Sequence, residues 1–162
     1  MVRQGCPIAT RFMVLGLLLG VMAGPPAAAE EPRAVVKDLS PKLDRLLRRE
    51  MQAILGAMQT IFGAIVTGDH GLVAEKARAI HASFILKQSL TPSDRQDLVA
   101  AVPDRFLKLD KRFHSAAAEL ARAAEARDTG RQLRVLGRMS RACVTCHGDY
   151  VAGRFPGLQM SR

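Results

Sequence analysis

The sequence predicts an all-α fold, an antiparallel four-helix bundle. Apolar residues recur at steps of three and four along several long stretches, and none of those stretches shows the two-residue alternation of a half-buried strand. Short segments rich in Gly, Pro, Ser, Thr and Asp separate them, so neighbouring helices should run antiparallel.

Residues 1–29 read as a secretory signal. Arg3 and Arg11 make a positive start, Phe12 to Met22 an apolar run, and Ala27-Ala28-Ala29 a small-residue cleavage site. Cleavage after Ala29 would also remove Cys6. The apolar run is short for a bilayer span and Gly24-Pro25-Pro26 follows at once, so no permanent membrane span is expected after cleavage. Residues 30–39 are polar, contain proline and should form a flexible lead.

The helical domain is expected over residues 40–152. Ser40-Pro41 is an N-cap followed by proline at the first helical position. Leu47, Met51, Ile54, Met58, Ile61 and Ile65 then form one apolar stripe, and Gly68 ends the helix. A second helix should span about Gly71 to Gln88, with Val73, Ala77, Ile80 and Phe84 facing inward. Thr91-Pro92-Ser93-Asp94 caps a short helix reaching about Ala101. Pro103 opens a third long helix, with Phe106, Leu109, Phe113, Ala117, Leu120 and Ala124 buried, which runs to about Arg127. Asp128-Thr129-Gly130 breaks it. The last helix, about Arg131 to Val151, carries Leu133, Leu136, Ser140, Cys143 and His147 on one face, and residues 153–162 form an irregular tail.

Cys143-Val144-Thr145-Cys146-His147 carries the most chemistry in the chain. Cys-x-x-Cys-His is the attachment sequence of a c-type haem: each thiol adds across one porphyrin vinyl group, and the next residue offers its imidazole to the iron. Positions three and four apart share a helix face, so Cys143, Cys146 and His147 should point the same way. A thioredoxin-like redox pair wants a strand-helix-strand setting, which the sequence lacks. A structural zinc site needs four ligands, and the remaining likely donors His70, His81 and His114 are not paired with one another at ligand spacing. Two cysteines that merely pack in a core would leave His147 a coincidence. One covalent haem c near the C-terminus is the expectation, and export to a periplasm-like compartment suits its attachment.

A haem motif close to the C-terminus of a four-helix chain resembles the class II c-type cytochromes, the cytochrome c prime and cytochrome c556 group. The resemblance covers roughly residues 40–151. It rests on the motif, on Tyr150 shortly after it, on Arg48 and Met51 in the first helix, and on Gly63-Ala64-Ile65-Val66-Thr67-Gly68 at that helix's end. It implies haem held by Cys143 and Cys146, His147 as proximal ligand, and a distal residue from the first helix: methionine in low-spin members, often apolar in cytochrome c prime. Met51 is the candidate distal ligand because it lies on the inner stripe, and Met58, two turns on, is the runner-up. An ungapped count back from Gly68 selects Gln52 instead, yet adjacent helix positions are about 100° apart and Gln52 should look away from the stripe. His81 and His114 are expected to be boundary histidines hydrogen-bonded to their neighbours, and His70 an exposed turn residue. Arg48 could reach a haem propionate, and Tyr150 could pack at the haem edge or in the core. The chain departs from cytochrome c prime at Val151, where a basic residue is common in that group. A gas-sensing role that depends on that residue is therefore not carried over.

The formal charge is +9, and loss of Arg3 and Arg11 with the signal would lower it to +7. Such a surface would steer encounters with an acidic redox protein or an anionic membrane surface. Dispersed cations, one tyrosine, no tryptophan and no nucleic-acid motif argue against a nucleic-acid partner. No paired-carboxylate, nucleophile-base or phosphate-loop arrangement suggests an enzyme. The expected function is therefore single-electron transfer between redox partners by an exported cytochrome. The alternative is a five-coordinate haem protein binding NO or CO, which needs Met51 off the iron. A peroxide- or nitrite-reducing enzyme would want a distal acid-base group from His81 or His114. The resemblance also allows a homodimer.

Overall fold

The computed structural model describes residues 38–83 and 90–158, all within one compact unit, Glu31–Arg162. The expected signal, most of the lead, Phe84, Gln88 and the last four residues lie outside the described residues. Helix α1 spans Pro41–Thr67 and has the expected ends. The Ser40 hydroxyl accepts from the Leu43 N–H, and Gly68 closes the helix in the left-handed region at φ 74°, where glycine carries no Cβ penalty. Helix α2 spans His70–Ala82 behind an Asp69 cap. It ends before the expected Gln88, because the Ser83 hydroxyl and N–H both turn back onto the Ile80 carbonyl.

Helix α3, Pro92–Ala101, starts on a complete capping box between Thr91 and Asp94. Lys42 Nζ lies 2.6 Å from Asp94 Oδ2, which ties the start of α3 to the start of α1. The hydrogen bond from Lys42, then those from Thr91, hold the Asp94 carboxyl down at about 2. Helices α4, Asp104–Glu125, and α5, Thr129–Tyr150, are joined by a tight turn. The break comes slightly earlier than expected: Arg127 adopts φ 53°, and Asp128 caps α5 by accepting from the Arg131 N–H.

Helices α1, α2, α4 and α5 pack in a closed ring, α1 on α2, α2 on α4, α4 on α5 and α5 on α1. No strand occurs among the described residues. The ring is compatible with an antiparallel four-helix bundle, with α3 as an additional short helix. None of the described helices is long and apolar enough to cross a membrane.

The core falls into two clusters. One joins Ile61, Ile65, Val73, Ala77, Leu120 and Val135 at the end holding both the α1–α2 and α4–α5 turns. The other joins Leu39, Leu43, Leu90, Leu98, Val102 and Tyr150 at the opposite end, with Cys146 packed against it.

The inner face of α5 corrects the expected stripe. Gln132, Val135, Leu136, Met139 and Tyr150 are buried, whereas Leu133 is 50% exposed and Ser140 is also exposed. The helix is turned by one position because Gln132 is taken into the core, where its amide N–H donates to His70 Nδ1 at 2.9 Å and faces the Ala123 carbonyl at 3.4 Å. His70 is accordingly half-buried in the first turn of α2 rather than an exposed turn residue.

Candidate functional site

Between the N-terminal half of α1 and the C-terminal half of α5 the bundle opens into a cavity of about 500 Å³. Helix α4 contributes Phe106, Asp110 and Phe113 to its wall. The α5 wall carries Cys143, Cys146 and His147 together, with Tyr150 one turn further. The α1 wall carries Leu47, Arg48, Met51, Ile54 and Met58. Arg48, Met51, Met58, Cys143, Cys146, His147 and Tyr150, the residues expected at the haem from the sequence, therefore border one space. The shared helix face expected for the motif accounts for the α5 group.

Gln52 borders the cavity as well, which corrects the expectation that it looks away. It is exposed, whereas Met51 and Met58 are half-buried and pack against the core. The cavity wall is wide enough to take both faces of the Met51–Gln52 step. His81 and His114 do not border the cavity. His81 Nδ1 donates to the His114 carbonyl at 2.9 Å, and His114 Nδ1 donates to the Ile80 carbonyl at 2.7 Å.

His114 is not a boundary residue but is only 2% exposed. Its Nε2 lies 3.6 Å from Glu50 Oε1 and 3.4 Å from Asp110 Oδ1. Burial, then the nearby Asp110 carboxylate, pushes the Glu50 carboxyl up to about 7, although His114 works in the opposite sense. Burial also pulls the His114 imidazolium down. The hydrogen bond and charge of Asp110, the Ile80 carbonyl and the charge of Glu50 together outweigh it, and the net shift is upward. This cluster touches the cavity through Asp110.

The motif's own groups have distinct electrostatics. Burial pushes both thiols up, that of Cys146 to about 11, with Asp110 the next contributor there. Both cysteines are free thiols. A thiol raised in this way stays protonated at neutral pH, the reverse of the activated cysteine in a thioredoxin-type pair. Burial, then the charge of Arg154, lowers the His147 imidazolium. A neutral imidazole keeps a lone pair for a metal. Its ring is stacked on Phe155, with centroids 4.6 Å apart and planes 8° from parallel. Tyr150 is buried, edge-on to Phe106 at 5.3 Å.

Arg48 is at the cavity, but its Nε already donates to Asp44 Oδ2 at 2.7 Å, one turn back on α1. A second cation, Arg154, borders the cavity from the segment expected to be a plain tail. Phe155 and Arg154 carry no local signal, since both reach the cavity only through the turn after α5. Among the described residues, no three His, Cys, Asp or Glu side chains gather closely enough to hold a bare metal ion. A haem iron asks the protein for only one or two axial ligands.

No family model, curated protein or solved structure matches this chain.

Proposed function

We propose that this chain is an exported, single-haem c-type cytochrome, similar to the class II group, that passes single electrons between redox partners. The observation that carries it is the meeting of Cys143, Cys146 and His147 with Met51 around one largely apolar cavity. Its size lies within the roughly 300–1,000 Å³ of small-molecule and cofactor sites. Leu47, Ile54, Met58, Phe106 and Phe113 offer an apolar lining suited to a porphyrin.

Cys143 and Cys146 would hold haem c covalently, His147 would be the proximal ligand and Met51 the distal one. Arg48 and Arg154 are cations at the cavity that would offset propionate charge. When bound, haem supplies a one-electron ferric–ferrous couple. The chain's contribution would be to hold the His147 and Met51 donors in place and to keep water out of the cavity. Phe155 packs flat on the His147 imidazole and limits its rotation. A thioether ligand and apolar walls both favour the reduced state, and hence electron transfer at a raised potential. Localisation to the periplasm is supported by the signal-like residues 1–29 and by the chemistry of haem attachment.

A second reading, a five-coordinate haem that binds NO or CO, is favoured by one observation: around Met51 the α1 wall is itself apolar, with Leu47, Leu55 and Met58. Absorption spectra of the haem-loaded chain in both oxidation states, compared with those of Met51→Ala, separate the two. We expect a low-spin spectrum whose thioether-to-iron charge-transfer band vanishes in Met51→Ala. A high-spin wild type that takes up carbon monoxide at once would overturn Met51 ligation and establish the gas-binding function. A chain exported without covalent haem would overturn both.

A further inference from the structure

A second concavity, of about 610 Å³, runs along the outer seam of α4 and α5. Lys108, Lys111, Arg112, Arg122 and Arg138 border it, and Glu119 is its acidic residue. Glu119 is already committed: it accepts from Arg131 at 3.2 Å and is paired with Arg138. Lys108, Lys111, Arg112 and Arg122 have no ion-pair partner among the described residues. The groove is therefore a strip of uncompensated positive charge. Self-repulsion of this kind is unfavourable unless an anionic partner relieves it.

The strip is also next to the cofactor cavity. Arg112 directly precedes Phe113, and Arg138 lies one helical turn before Ala142, and both Phe113 and Ala142 border the cavity. One turn is about 5.4 Å along the axis. From this charge complementarity and placement we infer that the α4–α5 groove docks an acidic surface segment of a partner protein beside the cofactor cavity. That the partner is a redox protein rests on the function proposed above. A protruding acidic segment can enter a concave groove and meet both walls, whereas a flat anionic membrane would reach only the rims. Charges arranged in this way mainly set the association rate and its dependence on salt.

The test uses the whole exported chain, with its covalent haem content measured separately. The probes are a fluorescent peptide of Asp and Glu residues spaced by Gly, followed by anisotropy at low ionic strength, and vesicles of equal parts phosphatidylglycerol and phosphatidylcholine. The groove triple variant Lys111→Gln, Arg112→Gln, Arg122→Gln is compared with Arg45→Gln, Arg49→Gln, Lys76→Gln, which removes equal charge elsewhere. We expect the groove triple to weaken peptide binding about tenfold, as three partly screened ion pairs would, and the control triple to change it less than about twofold. Equal losses in both triples would overturn the docking site, and so would vesicle binding without peptide binding. If the chain carries no haem yet the groove triple still weakens the peptide, the docking site stands and the electron-transfer function falls. If the chain is haem-loaded and ignores the groove triple, the docking site alone falls.

Discussion

At the end of the bundle that holds both tight turns, the facing positions of the helices are Ala64, Ala74, Ala77, Ala117, Ala121 and Ala124, filled in by Ile61, Ile65, Leu120 and Met139. Small side chains let the helix axes approach, and the larger ones interdigitate without leaving room for a ligand. Towards the other end the same helices present Leu47, Met51, Phe106 and Phe113, and α1 and α5 stand apart around about 500 Å³. Bulk here does not close the space but borders it. The polar residues differ as well. Gln132, buried in the closed end, does not titrate, whereas Glu50 and His114, near the cavity, do. One half of the bundle is built to be stable, and the other spends apolar surface and buried charge on a site.

The largest effect that would break this contrast is a large-to-small substitution at each end. Leu120 is fully buried in the closed end, and Leu120→Ala should cost about 3 kcal/mol through lost burial and a new void. Leu47→Ala only enlarges a space that already exists, so the haem-free chain should lose less than about 1 kcal/mol. Urea unfolding of both variants, followed by circular dichroism, makes the comparison. Equal losses would mean that the haem-free chain closes around Leu47 and that the cavity is not preformed.

A smaller effect comes from pH. The Glu50 carboxyl rises from 4.5 to about 7 and the His114 imidazolium also rises above 6.5, so in this region the folded chain holds protons more tightly than the unfolded one. Their stabilisation is fully present below the respective unfolded values. It is lost as pH rises through the folded ones, so stability should fall between about pH 4.5 and pH 7 and somewhat beyond. Asp94 acts in the other direction and elsewhere. Its stabilisation is present above 3.8 and disappears as pH falls towards about 2. Glu50→Gln should flatten the fall between pH 4.5 and 7 by about 2 kcal/mol. Denaturation midpoints of the haem-free chain across that range measure it. A slope unchanged by Glu50→Gln would place the proton uptake elsewhere.

Much of the closed end and the helix boundaries was legible because capping is local chemistry. Ser40-Pro41, Gly68 and the Thr91–Asp94 box do in the fold what their side chains do in a short peptide. The α5 wall was legible for the same reason, since three- and four-residue spacing alone brings Cys143, Cys146 and His147 to one face. What escaped were polar residues in core positions. Glu50 sits three residues after Leu47 and four before Ile54, on the apolar stripe itself, and Gln132 sits three before Val135 and seven before Met139. The spacing marks both as inward-facing, but a stripe defined by hydrophobicity passes over them. Phe155 could not be found this way, because it reaches His147 only through a turn that no periodicity describes.

The smallest effect tests that turn. A Cβ added at Gly148 would lie 3.0 Å from the Leu158 carbonyl oxygen, closer than ordinary contact, so the Pro156–Leu158 turn must give way by a few tenths of an ångström. Because the yielding part is a largely exposed turn, Gly148→Ala should change stability by less than about 1 kcal/mol. It should nevertheless pull Phe155 off the His147 ring and remove the ring-current shift on the imidazole protons, read by NMR in the haem-free chain. Gly63, on α1 just before the buried Ala64, is the counterpart, because nothing lies within 4 Å of an added Cβ. Gly63→Ala should stabilise the helix by up to about 1 kcal/mol and leave His147 untouched. If Gly148→Ala also leaves the His147 protons where they were, the imidazole is held by α5 alone, and Phe155 is a neighbour of the site rather than part of it.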